Sequence, residues 1–303
     1  VSWSALITVY AEQGHCQDAM NCFQRMANEG LCPDEVTFIC ILKACSIAGA
    51  LNIGDQIHNE IQRKGFLQKN LMVGNALVDM YAKCGLLLKA QEVFEQLPRR
   101  DVMSWNSLIS GYAHQRQGHG ALACFEQMQE ECPKLDRSSF ICILKACSGY
   151  LSLGKAIDVH THIVDCGFEL DMSLGCSLID MYVKCGSLEG AQVIFNKSLC
   201  RDVAMWSALI WGHAQLGDDK KAFELLDEMR QANCEPNQVT YLAILKACSS
   251  STALQQGRLV HSQVIISGME MDNSIGNALI DMYSKCGSLT EADSVFSRLS
   301  QRD

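Results

Sequence analysis

The sequence predicts an all-α chain, an α-solenoid superhelix of nine helix-turn-helix repeats and about eighteen helices. Three observations predict it. Asp79-Met-Tyr-Ala-Lys-Cys-Gly85 returns 101 residues later as Asp180-Met-Tyr-Val-Lys-Cys-Gly186, and after another 101 as Asp281-Met-Tyr-Ser-Lys-Cys-Gly287. Other words keep the same period. Leu42-Lys-Ala-Cys45 recurs at Leu144 and Leu245, and Ser2-Trp-Ser-Ala-Leu-Ile7 recurs from Ser104 and from Met205. Inside each block apolar residues recur at helical spacing, so the repeated object is built of helices.

Aligning the helix starts divides each block into two units of about 35 residues and one of 31. The nine units are 1–34, 35–70, 71–101, 102–136, 137–171, 172–202, 203–237, 238–272 and 273–303. They are read as one array, because stacked hairpins bury against their neighbours rather than around a single centre.

The third unit shows the logic. Gly74 reads as the residue before a helix from about Asn75 to Cys84, with Gly85 as its stop. On that helix Leu77, Met80, Tyr81 and Cys84 share one face, while Asn75, Asp79 and Lys83 share the opposite one. A second helix carries Ala90, Val93, Phe94 and Leu97 on its apolar stripe. The short connection makes the two an antiparallel pair. Stacked pairs put the first helices on an inner, concave surface, so the polar line of Asn75, Asp79 and Lys83 is expected to face a groove.

Composition narrows the function. A hydrophobic content of 48% supplies a continuous core, and four prolines leave long helices uninterrupted. No apolar run reaches the roughly 18 residues of a membrane span, so no membrane partner is expected. The 17 cysteines include no Cys-x-x-Cys pair. Recurring at equivalent helical places (Cys45, Cys147, Cys248; Cys84, Cys185, Cys286), they read as small buried hydrophobes in a reducing compartment, with no metal and no cofactor. His58, His160 and His261 recur in the second helix of the long units and read as packing. His58-Asn-Glu60 mimics a zinc-deaminase His-x-Glu, but the cysteine partners are missing and the equivalents at His160 and His261 lack the glutamate. Neither a Gly-rich phosphate loop nor a nucleophile elbow occurs, so no enzyme is expected. A net charge of −9 argues against a nonspecific polyanion binder and leaves a protein-interaction scaffold as the rival reading. The chain opens on Val1, the second residue of its unit, and closes on Asp303, the last of its own; it is expected to be a segment of a longer protein.

Two-helix units of this length are tetratricopeptide or pentatricopeptide repeats, and the Trp-x-x-Leu-Gly-x-x-Tyr word of the former is absent. Ser104-Trp-Asn-Ser-Leu-Ile-Ser-Gly-Tyr-Ala113, Ala121-Leu-Ala-Cys-Phe-Glu-Gln-Met128 and Asn277-Ala-Leu-Ile-Asp-Met-Tyr-Ser-Lys-Cys-Gly287 resemble the pentatricopeptide repeat family, and the alternation of standard, long and short units resembles its PLS subclass, typical of plant organelle RNA-editing factors. The resemblance covers all nine units. It implies sequence-specific binding of single-stranded RNA, one base per repeat. It also implies a plastid or mitochondrial location, small organellar editing accessory proteins as partners, and a monomer. The deaminase domain such factors often carry C-terminally is not in this chain.

In that family the fifth and last residues of each unit read the base. Mapped here, the pairs are Ser4 with Asp34, Asn75 with Asp101, Asn106 with Asp136, Cys176 with Asp202, Ser207 with Asn237, and Asn277 with Asp303. The long units put Ile39, Ile141 and Leu242 at the reading position, where no hydrogen bond to a base can form. A terminal Asp accepts only and suits the imino N–H of G or U, whereas a terminal Asn also donates and suits A or C. Asn at the fifth place reaches a small pyrimidine, and Ser leaves room for a purine. The implied target is 5′-GNUUNNANU-3′. An aliphatic second residue wedges the bases in the family; Val1, Val36, Met72, Met103 and Val239 fit, whereas Ser138, Ser173, Ala204 and Ser274 do not. Lys83, Lys184 and Lys285, with Lys43, Lys145 and Lys246, would lend the groove a positive track for phosphates, or else pair with nearby aspartates. Trp3, Trp105 and Trp206 are expected to pack between helices, and Trp211 to pack or to stack on RNA.

Overall fold

The structure is a computed structural model. It describes residues 3–132, 134–147, 153–168, 171–198, 200–269 and 272–299. Among them there are helices and no strands. In chain order they are α1 (Trp3–Glu12), α2 (Cys16–Asn28), α3 (Glu35–Ala48), α4 (Leu51–Arg63), α5 (Phe66–Lys69), α6 (Leu71–Lys83), α7 (Leu87–Glu95), α8 (Val102–His114), α9 (Gly118–Glu131) and α10 (Arg137–Cys147). They continue as α11 (Leu153–Asp165), α12 (Met172–Lys184), α13 (Leu188–Lys197), α14 (Val203–Gln215), α15 (Asp219–Gln231), α16 (Gln238–Ser250), α17 (Leu254–Ile266), α18 (Asn273–Lys285) and α19 (Leu289–Arg298). Eighteen follow the expected two per repeat; the four-residue α5 is an extra turn in the connection between the second and third repeats.

The chain forms two compact halves, Val1–Tyr150 and Leu151–Asp303. In the first, α1, α3, α6, α8 and α10 stack in succession, each pairing with the second helix of its own hairpin where that helix lies in the same half. In the second, α12, α14, α16 and α18 stack in the same way. The chain is therefore an α-solenoid of helical hairpins.

Every repeat edge read from the sequence falls on a helix cap, because the last residue of one repeat is the N-cap of the next. Asp34, Asn70, Asp101, Asp171, Asp202, Asn237 and Asp272 each accept, through Oδ1, the backbone N–H three residues on, at 2.8–3.1 Å. Such a cap is worth about 1 kcal/mol, and it closes a first turn whose N–H groups have no other partner. The expected stops hold as well. Gly85, Gly186 and Gly287 take φ values of 86, 77 and 77°, the left-handed region that releases the chain into the second helix.

The third repeat corrects one expectation. Its first helix starts at Leu71, capped by Asn70, so Gly74 lies inside the first turn. The glycine is there for contact: a Cβ at Gly74 would lie 2.4 Å from Leu97 Cδ2. The apolar faces match the reading, since Leu77, Met80, Tyr81, Ala90, Val93, Phe94 and Leu97 are all buried. So are Trp105 and Trp206, whose rings meet Phe94 and Phe195 edge-on at 4.6 Å. The histidines pack as expected. His58, His160 and His261 each stack edge-on against Tyr81, Tyr182 and Tyr283, with Nδ1 2.8–2.9 Å from the phenol oxygen. Tyr81 donates its hydroxyl proton to Asp55 Oδ1 at 2.7 Å, so His58 Nδ1 is the donor to Tyr81.

Cys45 and Cys248 are fully buried, and burial pushes both thiols up to about 12; Cys84 and Cys286 point their Sγ at the Cys45 and Cys248 carbonyls from half-buried positions. Cys185 is half-buried too, and the Cys147 side chain lies outside the described residues. All described cysteines are free thiols.

Helices α6 and α8 approach closely because Gly111 has no side chain: a Cβ there would sit 2.4 Å from Ala82 Cβ and 3.3 Å from its Cα. Gly111→Ala is therefore expected to destabilise the chain by about 1–3 kcal/mol, against a helix-propensity gain of about 1 kcal/mol. A urea melt that leaves stability unchanged or raised would contradict this packing.

Candidate nucleic-acid interface

The residues read from the sequence as base contacts gather at the joint between successive first helices. In the third repeat Asn75 Nδ2 donates to Asp101 Oδ1 at 3.2 Å. Ser104, one helical turn after Asp101, completes the group. Its backbone N–H donates to Asp101 Oδ1 at 2.8 Å, and its hydroxyl lies 2.7 Å from Asn75 Oδ1 and 2.9 Å from Asp101 Oδ1. Asp101 Oδ1 already accepts two N–H groups, so the single hydroxyl proton goes to Asn75 Oδ1, the nearer acceptor. That leaves one Asn75 amide hydrogen, and no side-chain donor among the described residues reaches Asp101 Oδ2.

The charge on that oxygen is held in place. Burial raises the Asp101 carboxyl, but hydrogen bonds from the Ser104 backbone, from Asn75 and from the Met103 N–H, with the Ser104 hydroxyl dipole close by, outweigh burial and hold it below the usual carboxylate range. The Thr37 hydroxyl and N–H do the same for Asp34. Both are ionised at neutral pH and so can only accept.

The seventh repeat has the same construction with an amide at its end. Asn237 Oδ1 accepts from Thr240 N at 3.0 Å; Thr240 Oγ1 lies 3.0 Å from it and 2.7 Å from Ser207 Oγ, which is 3.2 Å from Asn237 Oδ1 and 2.7 Å from the Val203 carbonyl. Asn237 Nδ2 makes no hydrogen bond among the described residues. In the first repeat Thr37 Oγ1 donates to Asp34 Oδ1 at 2.5 Å and lies 2.8 Å from Ser4 Oγ. Capping thus uses one oxygen of each terminal residue and leaves the other polar atom over: a carboxylate oxygen at Asp34 and Asp101, an amide NH2 at Asn237.

Asn75 and Ser207 are buried, at 7% and 3% exposure, rather than open to the groove as expected. The next repeat's capping hydroxyl closes over them, so the terminal residue is the more exposed member of each pair. Asn106 is half-buried; its Oδ1 is enclosed and has no partner among the described residues. Ser139 N and Oγ both donate to Asp136 Oδ1 at 2.8 Å without reaching Asn106. Cys176 is half-buried, and desolvation followed by the nearby Asp202 charge raises its thiol. Asn277 is exposed, while its partner Asp303 and the wedge Val1 lie outside the described residues. Sequence reasoning missed Thr37, Ser104, Ser139 and Thr240; the signal was a Ser or Thr three residues after an Asp or Asn, the pattern of a capped helix start.

The other residues expected to wedge bases stand beside these pairs. Val36, Met72, Met103 and Val239, each in the first turn of its helix, are 55, 63, 62 and 47% exposed. The lysines are less available than expected. Lys83, Lys184 and Lys285 pair with Asp79, Asp180 and Asp281 at 2.8, 2.7 and 2.7 Å. Exposed pairs one turn apart contribute only a few tenths of a kcal/mol, yet they cancel the charge locally. Lys43 and Lys145 are exposed, and Lys246 Nζ donates to Gln215 at 2.6 Å while lying 5.5 Å over the Trp211 ring. Trp3 is half-buried beneath Arg25, which lies 5.1 Å above its ring. Among the described residues no His, Cys, Asp or Glu group has metal-binding geometry, and no helix is long and apolar enough to cross a membrane.

Stacked hairpins, each capped by its predecessor's last residue, define a helical-repeat protein of the solenoid class. A profile described as the PPR repeat family matches residues 1–47 and 201–250, and one described as the PPR repeat matches 75–102, 103–132, 176–203 and 277–303. The chain belongs to the pentatricopeptide repeat family. Among curated proteins it is 34% identical over its full length to the Arabidopsis thaliana pentatricopeptide repeat-containing protein At5g27110, covering 44% of that protein. It is 35% identical, again over its full length, to At4g18520, chloroplastic, of the same organism, covering 49% of it. The chain thus spans about half the length of the curated relatives it matches. Among solved structures it is similar to the pentatricopeptide repeat protein PPR10 in complex with an 18-nt psaJ RNA element, with a TM-score of 0.80, 22% identity, and coverage of 97% of this chain and 44% of that one.

Proposed function

We propose that the chain binds single-stranded RNA sequence-specifically, one base per repeat, with residues 1–303 acting as a single array. We further propose that it is the site-recognition segment of an organelle C-to-U editing factor of the PLS type, with the target 5′-GNUUNNANU-3′. One observation carries the reading. At the third and seventh repeats a buried hydroxyl ties the fifth and last residues into one unit and leaves a single polar atom of opposite character, Asp101 Oδ2 or Asn237 Nδ2. A peptide-binding scaffold has no need of such matched pairs, whereas an acceptor facing an imino N–H and a donor facing a ring nitrogen are what base discrimination requires.

Exposed aliphatic wedges beside the pairs support base stacking, worth about 1–3 kcal/mol per base. The likeness to PPR10, solved with an RNA element, supports an RNA ligand. Curated relatives named chloroplastic or mitochondrial support a plastid or mitochondrial location. Small organellar editing accessory proteins are the partners proposed for a monomeric chain. Phosphate contacts by Lys83, Lys184 and Lys285 would require each lysine to turn from its aspartate to the RNA.

Asn106→Ser tests the register. Because Asn106 Oδ1 is enclosed without a partner, removing it costs little stability. The expected result is a shift at the fourth base from U towards G, read by gel shift with four RNAs that differ only there. An unchanged preference would place the reading position elsewhere.

A further inference from the structure

We infer that the third residue of a repeat, where its hydroxyl meets the fifth residue of the repeat before it as at Thr37, Ser104 and Thr240, is a specificity-determining positioning residue for that earlier repeat. At the fourth repeat the Ser139 hydroxyl goes to the cap Asp136 and does not reach Asn106. The inference rests on the RNA reading above and adds a residue to its code. Along the sequence the eight junctions between successive repeats divide cleanly. Where the fifth residue is Ser4, Asn75, Asn106 or Ser207, the third residue of the next repeat is Thr37, Ser104, Ser139 or Thr240. Where the fifth residue is Ile39, Ile141, Cys176 or Leu242, it is Val73, Leu174, Met205 or Ile275. All eight third residues are fully buried, so solvent exposure does not explain the choice of hydroxyl or hydrocarbon.

Repeat type alone does not explain the division either. The joints after the third and sixth repeats are the same kind, a short repeat followed by a standard one. The first of them carries Asn75 with Ser104, and the second carries Cys176 with Met205. At the first, Ser104 Oγ lies 2.7 Å from Asn75 Oδ1, which turns the amide so that its nitrogen faces Asp101. At the second, the cap is retained, since Met205 N–H donates to Asp202 Oδ1 at 2.8 Å. The hydroxyl is replaced by a thioether whose Cε would meet a Cβ built on Gly175 at 2.6 Å. The backbone N–H meets the cap at both joints; at the first the Ser104 hydroxyl also accepts the Asp101 N–H at 3.2 Å, and its proton goes to the fifth residue. An asparagine placed at 176 would have no hydroxyl to orient its amide, so either end could face the RNA.

The test uses the full chain and four nine-mers that follow the predicted target and differ only at the sixth letter. Cys176→Asn alone is expected to discriminate poorly, by less than about threefold, whereas Cys176→Asn with Met205→Ser is expected to prefer U by about tenfold, the size of one well-made polar contact. A U preference in the single variant equal to that of the double overturns the inference. A second pair of variants guards against misfolding at that joint. Ser104→Ala is expected to lose the U preference at the third base and Ser104→Thr to keep it, each with helical circular dichroism retained; a U preference undiminished in Ser104→Ala also overturns the inference. If the unmodified chain shows no base preference at its third letter, the RNA reading and this inference fall together. If it does show one and the single variant at 176 needs no help, only the coupling falls.

Discussion

Asp101→Asn is expected to change the preferred third base from U to C while leaving the repeat folded. Asparagine caps helices as well as aspartate does, and its Oδ1 can take over the bonds from Ser104 N and Asn75 Nδ2. What changes is the atom left over. Oδ2, an acceptor held ionised at neutral pH, becomes an NH2 donor. Facing the imino N–H of uracil, that donor has nothing to bind, and the mismatch costs about 1–3 kcal/mol. Cytosine offers an acceptor at the same ring position and gains what uracil loses. The relative preference should therefore swing by about a hundredfold, counting the loss for one base and the gain for the other. Dissociation constants for four RNAs differing at the third base measure it, and a persisting preference for U would show that Asp101 does not face the base.

Trp206→Ala is expected to cost about 3–5 kcal/mol, as large-to-small changes at buried aromatics do. Trp206 is 2% exposed, and its ring meets Phe195 edge-on at 4.6 Å, with the Arg201 guanidinium 4.6 Å from the same phenyl ring. The same three residue types recur at Trp105, Phe94 and Arg100. This stack joins the second helix of one hairpin to the first helix of the next, so its loss falls on one interface of a chain held together by neighbour contacts. A urea melt should show a lower midpoint and reduced cooperativity. Trp211→Ala, at a half-buried ring beneath Lys246, should change stability far less. Equal effects at the two sites would contradict the packing described.

Much of this was legible in the sequence, for a physical reason. A repeat edge is marked by a chemical event, an Asp or Asn that caps the next helix, and the 101-residue period shows the same event three times over. The helical pairs, the packed tryptophans and the packing role of the histidines follow from periodicity. Two readings failed where tertiary contact decides. Gly74 reads as a helix boundary because glycine usually breaks helices, and nothing local announces that Leu97 occupies the space of its missing side chain. Asn75 and Ser207 read as open because helical phase puts them on the polar face; their burial comes from the hydroxyl of the following repeat. The lysine track had two readings that spacing could not separate, and the free chain adopts the ion pairs.

The central claim is that each repeat with a polar fifth residue reads a base with the polar atom that capping leaves unused. Its most direct test is a gel-shift comparison of 5′-GNUUNNANU-3′ with a shuffled nine-mer of the same composition, at about 0.15 M salt so that nonspecific phosphate binding is suppressed. The account predicts that the ordered sequence binds at least about tenfold more tightly, the contribution of a single well-made polar contact out of several. Equal binding of the two RNAs would contradict it.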